Sequence, residues 1–128
     1  MNSTSDPTPV VERMREQDNW NPLWDKLHEW DPAWTEQFMA TAMQPWLSGV
    51  LEPKVVELLA IAVDAAATHM YAPGVRRHIR MALRLGATRE EILEVLKLTT
   101  LVGIHACNLG VPILAEELAQ LPQHGDGA

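Results

Sequence analysis

The order of apolar and polar positions along the chain reads as a succession of helices, and no segment alternates with the period of two that a strand needs. Asn21-Pro22 is an N-cap followed by proline at the first helical position, and it opens a short helix ending near Trp30. Asp31-Pro32 repeats the signal. The helix it opens carries Trp34, Phe38 and Ala42 at helical spacing and runs to Pro45 or Gly49. Pro53 starts a third helix, PKVVELLAIAVDAAATHMY, which is so apolar that it must be covered on most sides. Pro73-Gly74 ends it and opens GVRRHIRMALRL. There Val75, Ile79, Ala82 and Leu83 face inward, Arg76, Arg77, Arg80 and Arg84 face mostly outward, and Gly86 supplies the helix-ending glycine. Thr88 with Glu91 forms a capping box at the start of a fifth helix. Its buried stripe is Ile92, Val95, Leu96, Thr99 and Val102, and it is expected to continue to about Asn108. Gly110 and Pro112 interrupt the pattern, and a last helix runs from Pro112 to Gln120. The expected fold is all-α, a bundle of about six helices.

Residues 1–18 are polar, contain proline and read as a flexible arm with a short helix near 10–17. Residues 19–121 form the domain, and 122–128 are an expected disordered tail. A chain of 128 residues supports one core, not two. The longest apolar candidate, 55–71, is interrupted by Glu57, Asp64 and His69, so no membrane span and no membrane partner are expected. The N-terminus, MNSTSDPTP, has neither a basic stretch nor an apolar core, so a cytoplasmic protein without a signal peptide is expected. The formal charge of −7 argues against nucleic acid as a partner, because phosphate binding needs a basic surface. The single cysteine, Cys107, cannot form an internal disulfide or a paired-thiol motif and reads as an inert buried thiol.

Two acids and three histidines stand out in the apolar part of the chain. Glu57 and Asp64 lie two turns apart on nearly one face of the third helix, and carboxylates in apolar surroundings are suited to proton transfer. Each also has a structural reading. Glu57 sits near a helix start, where negative charge suits the dipole, and Asp64 can hold the next loop by a buried hydrogen bond. His69 and His78 flank the turn around Tyr71–Gly74, so the two helices should form a hairpin with both rings near its closed end. His105 lies near the end of the fifth helix. Arg76 and Arg80, one turn apart, offer positive charge for a carboxylate. The tryptophans at 20, 24, 30, 34 and 46 read as packing anchors or an oligomer contact. The histidines with an acid could instead hold zinc or iron, although no H-x-x-x-H or H-E-x-x-H spacing is present.

Three segments, in order, resemble the carboxymuconolactone decarboxylase family of the alkyl hydroperoxidase D-like superfamily: DPAWTEQF, LEPKVVELLAIAV and HIRMALRLGATREEILEVL. The resemblance spans residues 31 to about 118. The last segment is the most specific, because the histidine, the small residue and the helix-ending glycine keep the family's spacing. The resemblance implies an all-helical bundle assembling as a homo-oligomer, a trimer or hexamer. It also exposes a departure. The peroxidase branch carries Cys-x-x-Cys-x-x-x-His, and aligned on His78 those cysteine positions fall on Tyr71 and Gly74. Thiol peroxidase chemistry, which needs a nucleophilic and a resolving thiol, is thereby disfavoured.

The decarboxylase branch uses no thiol and no cofactor. Its chemistry implies loss of carbon dioxide from a carboxylated lactone of aromatic catabolism and delivery of a proton to carbon. The resemblance then assigns His78 as proton donor, Glu57 as the acid that orients it, and His69 as the third catalytic group. Asp64, Tyr71, Arg76 and His105 are the expected contacts to a small-molecule substrate, and no metal is assigned. Two alternatives stay open: a catalytically silent binding or assembly module of the same fold, and a histidine-dependent metalloenzyme.

Overall fold

A computed structural model of the chain describes residues 8–123; residues 1–7 of the expected arm and 124–128 of the expected tail lie outside it. The described residues form eight α-helices and one 3-10 turn, with no strand among them. The first helix, α1, is Pro9–Glu16. The 3-10 turn Pro22–Trp24 leads directly into α2, Asp25–Trp30. Next come α3, Pro32–Ala42, and α4, Gln44–Ser48. The α5–α6 hairpin, Pro53–Ala65 and Ala72–Arg84, is followed by α7, Arg89–Thr99, and α8, Leu101–Gln120. The expected caps are present. Asn21 accepts from the Leu23 N–H at 2.9 Å, Asp31 from Trp34 at 3.1 Å, and Thr88 and Glu91 close the capping box at 3.0 Å in both directions.

Two small cores support these helices. One gathers Val11, Met14, Trp20, Met39 and Met43, and the other Ile61, Ala82, Ala87 and Ile92. The first core shows that the polar N-terminal stretch is not free from residue 8 onward. Val11 and Met14 of α1 are buried against α3, and the Glu36 carboxylate accepts from the Val10 and Val11 N–H groups at 2.6 and 3.0 Å. Those are unpaired donors of a helix start, satisfied from a neighbouring helix. The second core sits between α5, α6 and α7, and Lys54 pairs with Glu91 at 3.1 Å across its edge.

Three expectations about the helices are corrected. Leu83 and Val102, expected inside, are 51 % exposed each. The break in the C-terminal helical stretch falls at Thr100 and not at Gly110–Pro112. The Thr99 and Thr100 hydroxyls donate to the carbonyls of Leu96 and Lys97 at 2.6 Å, which tightens the turn, whereas Pro112 is carried inside α8. The longest run free of Asp, Glu, Lys and Arg is 98–115, not 55–71. Taken together across that turn, α7 and α8, Arg89–Gln120, are long and apolar enough by length and composition to cross a membrane. Every residue of α8 is exposed, including Leu109 at 71 %.

Candidate active site

The α5–α6 hairpin builds a polar cluster inside apolar surroundings. Glu57 lies one turn into α5, past the first turn, and is buried. Helix periodicity places Asp64 two turns later on the same side, also buried. The chain then reverses. Tyr71 donates its backbone N–H to the Asp64 carbonyl at 2.7 Å, and Met70 takes a left-handed φ of 49° to make the turn. The reversal brings α6 back along α5 and sets His78 opposite both acids. His78 Nδ1 donates to Glu57 Oε2 at 2.7 Å, and its Nε2 lies 3.4 Å from Asp64 Oδ2.

A residue from outside the hairpin completes the first contact. Trp46, on α4, donates its indole N–H to Glu57 Oε1 at 2.7 Å and stacks on the His78 ring at 5.7 Å between centroids. Both oxygens of Glu57 are thus occupied, one by the indole and one by the imidazole. A buried carboxylate so satisfied fixes the ring's orientation and keeps Nδ1 as a donor, which leaves Nε2 as the nitrogen available for proton transfer.

The cluster opens on a cavity of about 610 Å³ between α1, α4 and the α5–α6 hairpin. Glu57 and His78 line it, with Trp46, Met43 and Met81 as apolar wall and Arg13 and Arg77 as positive charge. Neither arginine forms an ion pair among the described residues. The Arg77 guanidinium lies over the rings of Trp24 and Tyr71 at 5.4 and 5.9 Å, and its Nε is buried without a hydrogen-bond partner. A partly open, largely apolar space lined by one acid–base pair and by two arginines without an ion pair among the described residues suits a small anion.

The residues singled out in the sequence divide between this place and elsewhere. Glu57, Asp64, His69 and His78 are in one chain of contacts, with His69 Nδ1 3.4 Å from Asp64 Oδ1. Tyr71 stacks on His69 at 5.4 Å, and its hydroxyl is held by the Asn21 side-chain amide. Arg76 is elsewhere: it lines a shallow apolar groove with Ala65, Val75 and Ile79 on the far side of α6. His105 and Cys107 lie on exposed α8, so Cys107 is not the buried thiol expected. Among the described residues, no three His, Cys, Asp or Glu side chains are grouped to hold a metal ion. Trp46, Arg77, Arg13 and Gly74 were not legible as site residues. Only Arg77 carried a signal, through its position next to His78.

Comparison with known proteins agrees with the all-helical fold. The profile of the carboxymuconolactone decarboxylase family matches residues 32–104. A solved structure from Burkholderia xenovorans LB400, provisionally named a gamma-carboxymuconolactone decarboxylase subunit, superposes with a TM-score of 0.78 at 39 % identity. The match covers 97 % of this chain and 51 % of that one, so the chain spans about half the length of that relative. No curated protein matches significantly.

Proposed function

The chain belongs to the carboxymuconolactone decarboxylase family, and on that premise we propose that it is a cofactor-free lyase acting on a small carboxylated or lactone compound of aromatic catabolism. The observation that carries the reading is His78, fixed by Glu57 at 2.7 Å in the wall of a cavity that also holds Arg13 and Arg77, neither ion-paired among the described residues. The carbon–carboxylate bond breaks and carbon dioxide leaves. The electron pair passes into the lactone carbonyl as an enolate, and the His78 Nε2 proton is transferred to carbon. Glu57 supports the ring through Nδ1 during that transfer. Arg77, stacked and without an acid partner among the described residues, is the cation that receives the substrate carboxylate. This role passes to it from Arg76, which faces the other side of α6.

The working form under this proposal is a homo-oligomer, the trimer or hexamer that the family resemblance implies. The support is α8, whose apolar side chains are exposed among the described residues, and the naming of the Burkholderia relative as a subunit. A second copy is the occupant that fits best. The exposed α5–α6 groove beside Arg76 is apolar, and α8 carries Glu116 and Glu117 next to its own apolar side chains.

Turnover of a panel of carboxylated lactones, followed as carbon dioxide release, tests the reading. Wild type is expected to act on at least one member and His78→Ala to lose about two to four orders of magnitude in rate. Equal turnover by the two proteins removes His78 from the mechanism, and no turnover of any member by wild type removes the lyase assignment.

A further inference from the structure

The His78 Nε2 proton must be replaced after each turnover, and the ring is 10 % exposed. The structure holds a path to it. Asp64 is 3.4 Å from His78 through Oδ2 and 3.4 Å from His69 through Oδ1. Side-chain exposure rises from 10 % at His78 through 12 % at Asp64 to 47 % at His69. His69 Nδ1 also lies 3.1 Å from the Val63 carbonyl oxygen. A carbonyl only accepts, so Nδ1 carries a proton there, and Nε2 is the nitrogen left to take one from water. Both 3.4 Å gaps are roughly 0.5 Å longer than a normal hydrogen bond, a distance that a small rotation of the Asp64 carboxyl closes.

Two features argue that Asp64 is held for this and not as a structural acid. No backbone N–H reaches its carboxylate among the described residues; its side-chain contacts are the two imidazoles, while its carbonyl holds the turn through Tyr71. The second is Gly74. A Cβ at that position would overlap Asp64 Oδ2 and come within 2.6 Å of Tyr71 Cδ1. Any side chain on Gly74 would therefore push the carboxylate off its approach to His78.

We propose that His69, Asp64 and His78 form a proton relay from solvent to the cavity, and that Gly74 is the position that admits Asp64 to it. The relay rests on the reading of His78 as proton donor. The proton count closes. His78 gives its Nε2 proton to carbon. The Asp64 carboxylate takes the Nδ1 proton of His69 at Oδ1 while His69 takes one from water at Nε2, and rotation of the carboxyl group delivers that proton to His78 Nε2, leaving Asp64 a carboxylate again. The exposed ring regains its starting tautomer by exchange with solvent. One proton enters from water per carbon dioxide released, which is the stoichiometry of decarboxylating a carboxylate.

The relay can be tested without a substrate. In the full-length protein labelled with 15N at histidine, the exchange rate of the His78 ring protons with water is measured by NMR for wild type, His69→Gln, Asp64→Asn and Gly74→Ala. All three variants are expected to slow exchange by about tenfold or more. Added imidazole buffer should restore the rate in His69→Gln, the variant at the solvent end, and not in Asp64→Asn. His69 is exposed, so His69→Gln is expected to fold even where Gly74→Ala does not. Exchange in His69→Gln at the wild-type rate overturns the relay. Slowed and rescued exchange in a protein that turns over no lactone supports the relay and removes only the lyase reading.

Discussion

Two helices of this chain, α5 and α8, are almost wholly apolar, and the chain treats them in opposite ways. Helix α5 is packed by α6 and α7, and its two acids are buried and engaged by His78, Trp46 and His69. Helix α8 packs mainly on α7 among the described elements, every one of its residues is exposed, and its His105 and Cys107 face solvent. Composition says that a helix needs a partner. It does not say whether the partner lies in the same chain. The polar residues embedded in each helix differ accordingly: those in α5 are buried and paired, and those in α8 lie on an exposed surface.

The comparison breaks most sharply at Glu57. Glu57→Ala removes the acceptor of two buried donors, the Trp46 indole and the His78 ring. Unfolding in denaturant is expected to show a loss of about 3–5 kcal/mol. A loss below about 1 kcal/mol, the range of an exposed pair, would mean that the pair is solvated and that α5 is no more committed than α8. The counterpart on the other side is Leu109→Glu with Leu114→Glu on α8. Sedimentation is expected to shift from an assembly to monomers while circular dichroism retains its helical signal. If the assembly persists, the bare helix is not the contact, and vesicle flotation of wild type then asks whether a lipid surface covers it.

The smallest expected effect lies at the α7 N-terminus, remote from both features. Thr88→Ala removes one half of the capping box and should cost about 1 kcal/mol. Glu91, the other half, is held below its usual carboxylate range, first by the Thr88 backbone N–H and then by the Lys54 side chain. A carboxylate whose folded pKa is depressed contributes stability above its unfolded pKa and loses it as pH falls through the folded value. Glu91→Gln should therefore lower Tm at pH 7 and flatten part of its acid fall, so that the two proteins converge below about pH 4. An unchanged acid limb would place the lowering elsewhere.

Much of the fold was legible because its signals are local. Asn21, Asp31 and Thr88 cap helices by geometry that spans three residues, and they cap them here. The pairing of Glu57 with His78 was legible through the family resemblance, whereas the inferred hairpin by itself set only His69 and His78 near one end. What was hidden depends on contacts between distant segments. Two apolar residues, Val11 and Met14, suffice to dock a polar stretch that reads as an arm. Arg76 and Arg77 differ by 100° around α6, and only the packed helix decides which one meets the cavity. Trp46 reaches Glu57 across a turn and carries no mark that separates it from the other tryptophans. Gly74 reads as a helix breaker, whereas its structural role is the room it leaves beside Asp64.

The central claim is that His78 delivers a proton to carbon as carbon dioxide leaves. Its most direct test is a reaction in D2O with a carboxylated lactone that the protein turns over, with carbon dioxide release and product deuterium measured together. The account predicts one deuteron per carbon dioxide, at the carbon that lost it and on one face only, with both signals falling together in His78→Gln. Deuterium on both faces of that carbon, or a variant that matches wild type in rate and stereochemistry, would contradict it.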